Sequence, residues 1–149
     1  MSTTDTIKTA MAAIERGDFN AVASYLTDDL VFAGPVPEPM GKREFIGVQS
    51  ALVAALPDWK FNASELREQG DKVTVNVHIT GTHTGTLNPP MPGIPVLPPS
   101  GKHVSLPNET ITFTVRGDKI SRLDVTSVPG GGVPGVLSQL GVKLPIMPM

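Results

Sequence analysis

After Pro57 the apolar residues change their spacing, and that change limits the chain to a small set of folds. Before it they recur every three or four positions. Ile7, Ala10, Met11 and Ile14 make one helical stripe, and Phe45, Val48, Leu52 and Leu56 make another. After it they recur every second position. The clearest run is Val73-Thr-Val-Asn-Val-His-Ile-Thr80, aliphatic at every odd position and polar at every even one. Helices gathered first and strands gathered second indicate an α+β domain rather than βαβ alternation. The sheet must bury one face under the helices.

Local signals divide the rest. A helix is expected over 3–16, closed by Gly17. Asp18 caps a second, short helix with Phe19, Val22 and Leu26 as its apolar face. A first strand follows around 28–32, then a proline-broken loop over 34–41 and a third helix over 42–56. Trp59, Phe61 and Ala63 alternate with polar neighbours. Turns at Gln69-Gly-Asp71 and Arg116-Gly-Asp118 separate further strands, about 73–80, 103–115 and 119–128. A short helix carrying Val136, Leu137 and Leu140 ends the core, and the apolar tail 142–149 is expected to pack over the body or over a second subunit. All 149 residues read as one domain, with its core at about 5–141.

The chain holds 15 Gly and 15 Pro, a load that would argue for disorder if it were spread evenly. It is clustered instead. Residues 81–101 contain four of the glycines and six of the prolines. The insertion over 86–100 therefore reads as a stiff, extended arm, expected to be ordered at the rim of the domain or against a partner. There is no cysteine, which excludes disulfides, thiolate metal sites and cysteine nucleophiles. The net charge is −2, with no basic patch to attract phosphate, so neither nucleic acid nor a membrane surface is an expected partner. No apolar run approaches the roughly 20 residues that span a bilayer. The first residues lack the basic and apolar regions of a signal peptide, so a soluble cytoplasmic protein is expected. His78 and His83 are five apart and would lie on opposite faces of a continuous strand, so no metal site and no cofactor are expected.

The order of elements, together with particular residues, resembles the SnoaL-like polyketide cyclases of the nuclear transport factor 2-like superfamily. The residues that carry the likeness are Arg16-Gly-Asp-Phe19, Leu26-Thr-Asp-Asp-Leu-Val-Phe32, Gly41-Lys-Arg-Glu-Phe45, Pro57-Asp58 and Gly70-Asp-Lys-Val73. They continue with Gly81-Thr-His-Thr-Gly85, Pro98-Pro-Ser-Gly-Lys102, Gly117-Asp-Lys-Ile120 and Gln139-Leu-Gly141. The resemblance implies a cystatin-like α+β cone. In it a curved antiparallel sheet wraps the N-terminal helices, an apolar pocket opens at one end, and the outer sheet face makes a homodimer. Members include cyclases, isomerases and non-catalytic binders, so the fold leaves function open.

In such cyclases a buried carboxylic acid moves the proton, because burial disfavours its charged form and brings it into the range of carbonyl chemistry. The resemblance places that acid near the end of the last strand, where Asp124 is the one carboxylate of Ile120–Val128 and Ser127 or Val128 stands at the family's later acidic position. Likeness to related epoxide hydrolases sets Asn76 and His78 on the long middle strand as its polar partners. Two orientations of that strand remain open. Hydrophobicity turns Val73, Val75, Val77 and Ile79 inward and His78 outward. The resemblance turns the polar face to the pocket and the aliphatic face to a dimer partner. If the aliphatic face is inward, Glu109 becomes the competing acid, because it shares parity with Ile111, Phe113 and Val115.

The expected catalytic residues are thus Asp124 and His78. Asn76, Glu109, Trp59, Phe45, Met40 and Phe32 are expected around the ligand. The expected function is a pocket protein for a small hydrophobic molecule, working as a cofactor-independent cyclase or isomerase on a carbonyl compound. The alternatives are a non-catalytic binder of a hydrophobic metabolite and a dimerising accessory module.

Overall fold

The computed structural model describes residues 3–34, 39–88, 95–126 and 128–141, with the backbone alone for 132–134. The expectations for 35–38, 89–94, Ser127 and the tail 142–149 lie outside the described residues.

Two helices open the chain, α1 (Thr3–Arg16) and α2 (Phe19–Ser24). Gly17 joins them at φ +73, a conformation that glycine adopts without a Cβ penalty. Asp18 caps α2, its Oδ1 accepting from the Ala21 N–H at 3.2 Å. Leu26 does not continue the helical face of α2 as expected. It starts β1 (Leu26–Ala33), where it lies opposite Ile120. Helix α3 (Lys42–Ala55) follows, and Glu44 reaches back to accept from the Gly41 N–H at 3.4 Å.

Five strands form the main sheet in the order β1-β7-β6-β3-β2, with β2 (Ser64–Gln69), β3 (Lys72–Val77), β6 (Glu109–Arg116) and β7 (Lys119–Val125). Strands β2, β3, β6 and β7 pair antiparallel as expected, while β1 lies parallel to β7 at the edge. Register shifts within the β1–β7, β2–β3 and β6–β7 pairings bend the strands and let the sheet curve around the helices. The expected strand over 73–80 breaks after Val77, and that over 103–115 breaks around Pro107. The pieces released, β4 (Thr80–Thr82) and β5 (His103–Ser105), pair as a separate ribbon. Trp59 and Phe61 are not on a strand; between them, Lys60 alone bridges to Thr80. Helix α4 (Gly132–Gln139) completes the described elements, beginning inside the Gly-Pro cluster rather than after it.

The orientation of β3 follows hydrophobicity and corrects the face implied by the resemblance. Val73, Val75 and Val77 are at most 1% exposed, while Thr74, Asn76 and His78 are only half-buried. Fully burying a valine or isoleucine side chain gains about 1.5–3 kcal/mol. A reversed strand would forfeit that gain at four positions and bury amide and imidazole groups in exchange. The inward face packs on Ile7, Ala10, Met11 and Ile14 of α1 and on Phe45, Val48 and Leu52 of α3 in one apolar core.

Side-chain carboxylates tie the ribbon and the 59–61 segment to the helices. Asp58, just past α3, accepts from the Thr82 N–H at 2.6 Å and from Thr82 Oγ1 at 2.9 Å, and the first of these does most to hold its carboxyl below the usual 3.8. Glu15 of α1 accepts from the Phe61 N–H at 2.9 Å. The stem of the proline-rich insertion is ordered, with Leu87 fully buried and paired through its backbone to Leu97. Among the described residues no helix is long and apolar enough to cross a membrane.

Gly85 runs directly under the last turn of α3, its N–H bonded to the Ala55 carbonyl at 2.9 Å, and a Cβ there would strike the Ala54 carbonyl oxygen. Gly85→Ala is therefore expected to destabilise the fold by about 1–3 kcal/mol in urea denaturation. An unchanged midpoint would show that this contact does not hold the insertion to α3.

Candidate functional site

Between the curved sheet and the helices lies a cavity of about 70 Å³. Helix α1 contributes Ala10, Met11 and Ile14, and α3 contributes Phe45, Gln49 and Leu52. The sheet adds Phe32, Glu109, Ile111, Phe113, Leu123 and Val125, and α4 adds Val136. Trp59 and Phe61 close a further side, edge to face with ring centroids 6.1 Å apart. Phe32 and Phe45 meet at 5.1 Å on the wall.

Three polar groups interrupt this apolar lining. Glu109 begins β6 directly opposite Val77 and is only 4% exposed. Its side chain shares the inward face with Ile111 and Phe113, so the parity argument for it holds. Gly131, the N-cap of α4, makes room for it: a Cβ there would stand 2.6 Å from Glu109 Oε1. Gln49 sits in the apolar stripe of α3, 9% exposed, with no hydrogen-bond partner for Oε1. Trp59 is 3% exposed, and its Nε1 likewise has no partner. A buried polar group left unpaired costs about 1–3 kcal/mol. Both residues line the cavity, with these two atoms themselves covered by protein.

The other expected residues divide between the two faces of the sheet. Trp59, Phe45, Phe32 and Glu109 line the cavity as expected. Met40 does not; it bonds backbone to backbone with Phe32, one position removed from the wall. Asp124 faces away from the cavity, because its neighbours Leu123 and Val125 face into it. Its carboxylate receives two hydrogen bonds from Arg122 Nε at 3.0 and 2.9 Å, with side chains 42% and 46% exposed. This contact holds the Arg122 guanidinium above its ordinary range. Asn76 is engaged on the same outer face, donating to Glu65 Oε2 at 2.6 Å and accepting from Thr110 Oγ1 at 3.1 Å. His78 Nε2 lies 3.3 Å from Ser105 Oγ.

Asp124 and His78 are therefore not brought together. Strand β6 separates β7 from β3, so two strand spacings, roughly 10 Å, lie between Asp124 and the β3 row opposite it. The expected Asn–His–Asp cluster does not form. The physical reason is alternation: Asn76 lies between inward Val75 and Val77, and Asp124 between inward Leu123 and Val125, while His78 lies just past the end of β3. Gln49 and Gly131 were missed. Gln49 had a signal, a polar side chain at position i+4 from Phe45 within a helical apolar stripe. Gly131 stands in a run of three glycines, and nothing in that run points to the carboxyl beside it. Among the described residues no three His, Asp or Glu side chains cluster as a metal site would require.

A curved sheet closed by helices over an apolar cavity makes a cystatin-like α+β fold. The family model for SnoaL-like polyketide cyclases matches residues 4–123, and the chain belongs to that family. Solved structures agree at the level of fold. IdmH from Streptomyces antibioticus, described as a putative polyketide cyclase, is 22% identical with a TM-score of 0.71, covering 95% of this chain and 100% of that one. A putative SnoaL-like polyketide cyclase from Jannaschia sp. CCS1 is 16% identical with a TM-score of 0.70, covering 95% and 93%. A cystatin-fold protein from Novosphingobium aromaticivorans is 24% identical with a TM-score of 0.60, covering 84% and 97%. No curated protein matches the sequence.

Gln49→Met keeps the length of the side chain and removes the unpaired amide oxygen. It is expected to raise stability by about 1 kcal/mol in thermal or urea denaturation. A loss of similar size would show that the amide contributes to the folded core.

Proposed function

We propose that this protein moves a proton on a small, mostly apolar carbonyl compound without a cofactor, and that Glu109 is the group that carries it. One observation supports the reading above the others: a carboxyl group, 4% exposed, lies in the wall of a mostly apolar cavity. Away from bulk water such a group exchanges its proton with a bound molecule. Glu109 takes a proton from the carbon next to a ketone, and the C–H electron pair moves into an enolate. Returning the proton at the same carbon gives exchange, and returning it elsewhere gives isomerisation. Attack of the enolate carbon on a second carbonyl, with Glu109 protonating the new alkoxide, gives ring closure. Family membership supports this class of chemistry. The cavity walls Phe32, Phe45 and Trp59 suit a flat, apolar body. The outer sheet face, half-buried at Thr74, Asn76, Thr110 and Thr112, is where a second copy would dock.

The test needs no natural substrate. In deuterium oxide the protein is expected to accelerate exchange of the α-protons of α-tetralone, followed by NMR. Glu109→Gln should slow that exchange by a factor on the order of 100 or more. Full exchange by the Gln variant would remove Glu109 from the mechanism. Binding of α-tetralone with no exchange above the solvent rate would leave the non-catalytic binder as the function.

A further inference from the structure

The closed cavity is too small for the ligand that the proposed function requires. It measures about 70 Å³, whereas pockets for small molecules run to about 300–1,000 Å³. A wall must therefore move before a ketone enters. Most of the walls are tied down. The strands of the main sheet are hydrogen-bonded to one another. Helix α1 is joined to the 59–61 segment through Glu15. Helix α3 is held at both ends, by Lys42 Nζ on the Leu26 carbonyl at 3.2 Å and by the Gly85 N–H on the Ala55 carbonyl at 2.9 Å. Helix α4 is built differently. Its eight residues include Pro134 and two glycines, a poor composition for a helix this short. It follows a turn closed by the Gly131 N–H on the Val128 carbonyl at 3.0 Å, with Gly130 at φ +80.

Its position is that of a cover. Phe32, Val125 and Glu109 lie at one end of the sheet, where β1 and β7 finish and β6 begins. Phe32 and Val125 are the cavity residues left half-buried there. Helix α4 starts at that end, with its N-cap Gly131 against the Glu109 carboxyl, and it sends Val136, 1% exposed, into the cavity wall. At its far end Gln139 clasps the ribbon. Its Oε1 accepts from the Ser105 N–H at 3.0 Å, and its Nε2 donates to the Ser105 carbonyl at 2.8 Å. From this we infer that α4 is a hinged cover, swinging on the glycines before it, and that the Gln139 amide is its latch. Open, it widens the cavity for the ligand; closed, it keeps water from Glu109 while the proton moves. This rests on the cavity being the ligand site, as proposed above, but not on Glu109 being the group that reacts.

The chain has no cysteine, so a single introduced thiol reports how often its surroundings open. Val136→Cys places that thiol on the buried face of α4, and Val75→Cys places it, as fully buried, in β3. Ellman's reagent is expected to label Val136→Cys at least about 100-fold faster than Val75→Cys. Adding Gln139→Leu removes both hydrogen bonds of the latch and should speed labelling of Val136→Cys about tenfold. Labelling of Val75→Cys should stay slow, which also shows that the latch variant is folded. A second readout follows the ligand. The chain has a single tryptophan, Trp59, which lines the cavity, so its fluorescence reports the entry of α-tetralone. Without the introduced thiols, Gln139→Leu should raise the association and dissociation rates of α-tetralone together, by about tenfold each. The inference is overturned if Val136→Cys labels no faster than Val75→Cys, or if Gln139→Leu leaves that labelling unchanged. It is equally overturned if α-tetralone enters Gln139→Leu no faster than the original chain. Failure of α-tetralone to bind either chain counts against the ligand reading alone, because the labelling still decides whether α4 opens.

Discussion

Everything at the site depends on the register of β6 against β3. Val77 lies opposite Glu109, Val75 opposite Ile111 and Val73 opposite Phe113. Those six positions share one face, and five of them are apolar. Turning Glu109 out to water would require slipping β6 by one residue, which would turn Ile111 and Phe113 out as well. Each of them contributes about 1.5–3 kcal/mol by burial. Their sum, about 3–6 kcal/mol, is comparable to the several kcal/mol that burying a carboxyl costs. The core thus holds an acidic group where an isolated carboxyl would not remain.

The same alternation disposes of the other carboxylate. Asp124 is one step out of phase with Leu123 and Val125, so the register that fills the cavity puts Asp124 on the outer face beside Arg122. Family likeness pointed to the end of the last strand, and the pattern of this chain moves the buried acid to the start of the strand before it. The room it needs comes from Gly131, at a place where the sequence shows a run of three glycines. Gln49 and Trp59 add buried polar atoms without partners, which weaken the core they sit in.

Much of the fold is legible in the sequence because it is local. The 3–16 helix ends at Arg16, with Gly17 in a left-handed turn. The turns at Gly70 and Gly117 separate strands that pair with their neighbours. What the sequence does not display are choices made over distance. Leu26 satisfies helical spacing from Val22, yet pairing with Ile120 draws it into β1, and that edge runs parallel to β7. The ribbon ends at Pro107, which has no N–H to carry the pairing on past the Leu106–Ile79 bond, before β6 joins the main sheet. At the cavity, hydrophobic parity turns Glu109 inward, whereas position in a motif selects Asp124 and His78, which do not line it. The unpaired atoms of Gln49 and Trp59 become visible only when the cavity is.

The central claim is that the site is the inner face of the cone and not the polar outer face of the sheet. A crystal structure with bound α-tetralone tests it most directly. The ligand is expected inside the cavity, beside Glu109 and against Phe32 and Phe45. A ligand lying instead on the outer face, against Asn76, His78 and Asp124, would contradict it.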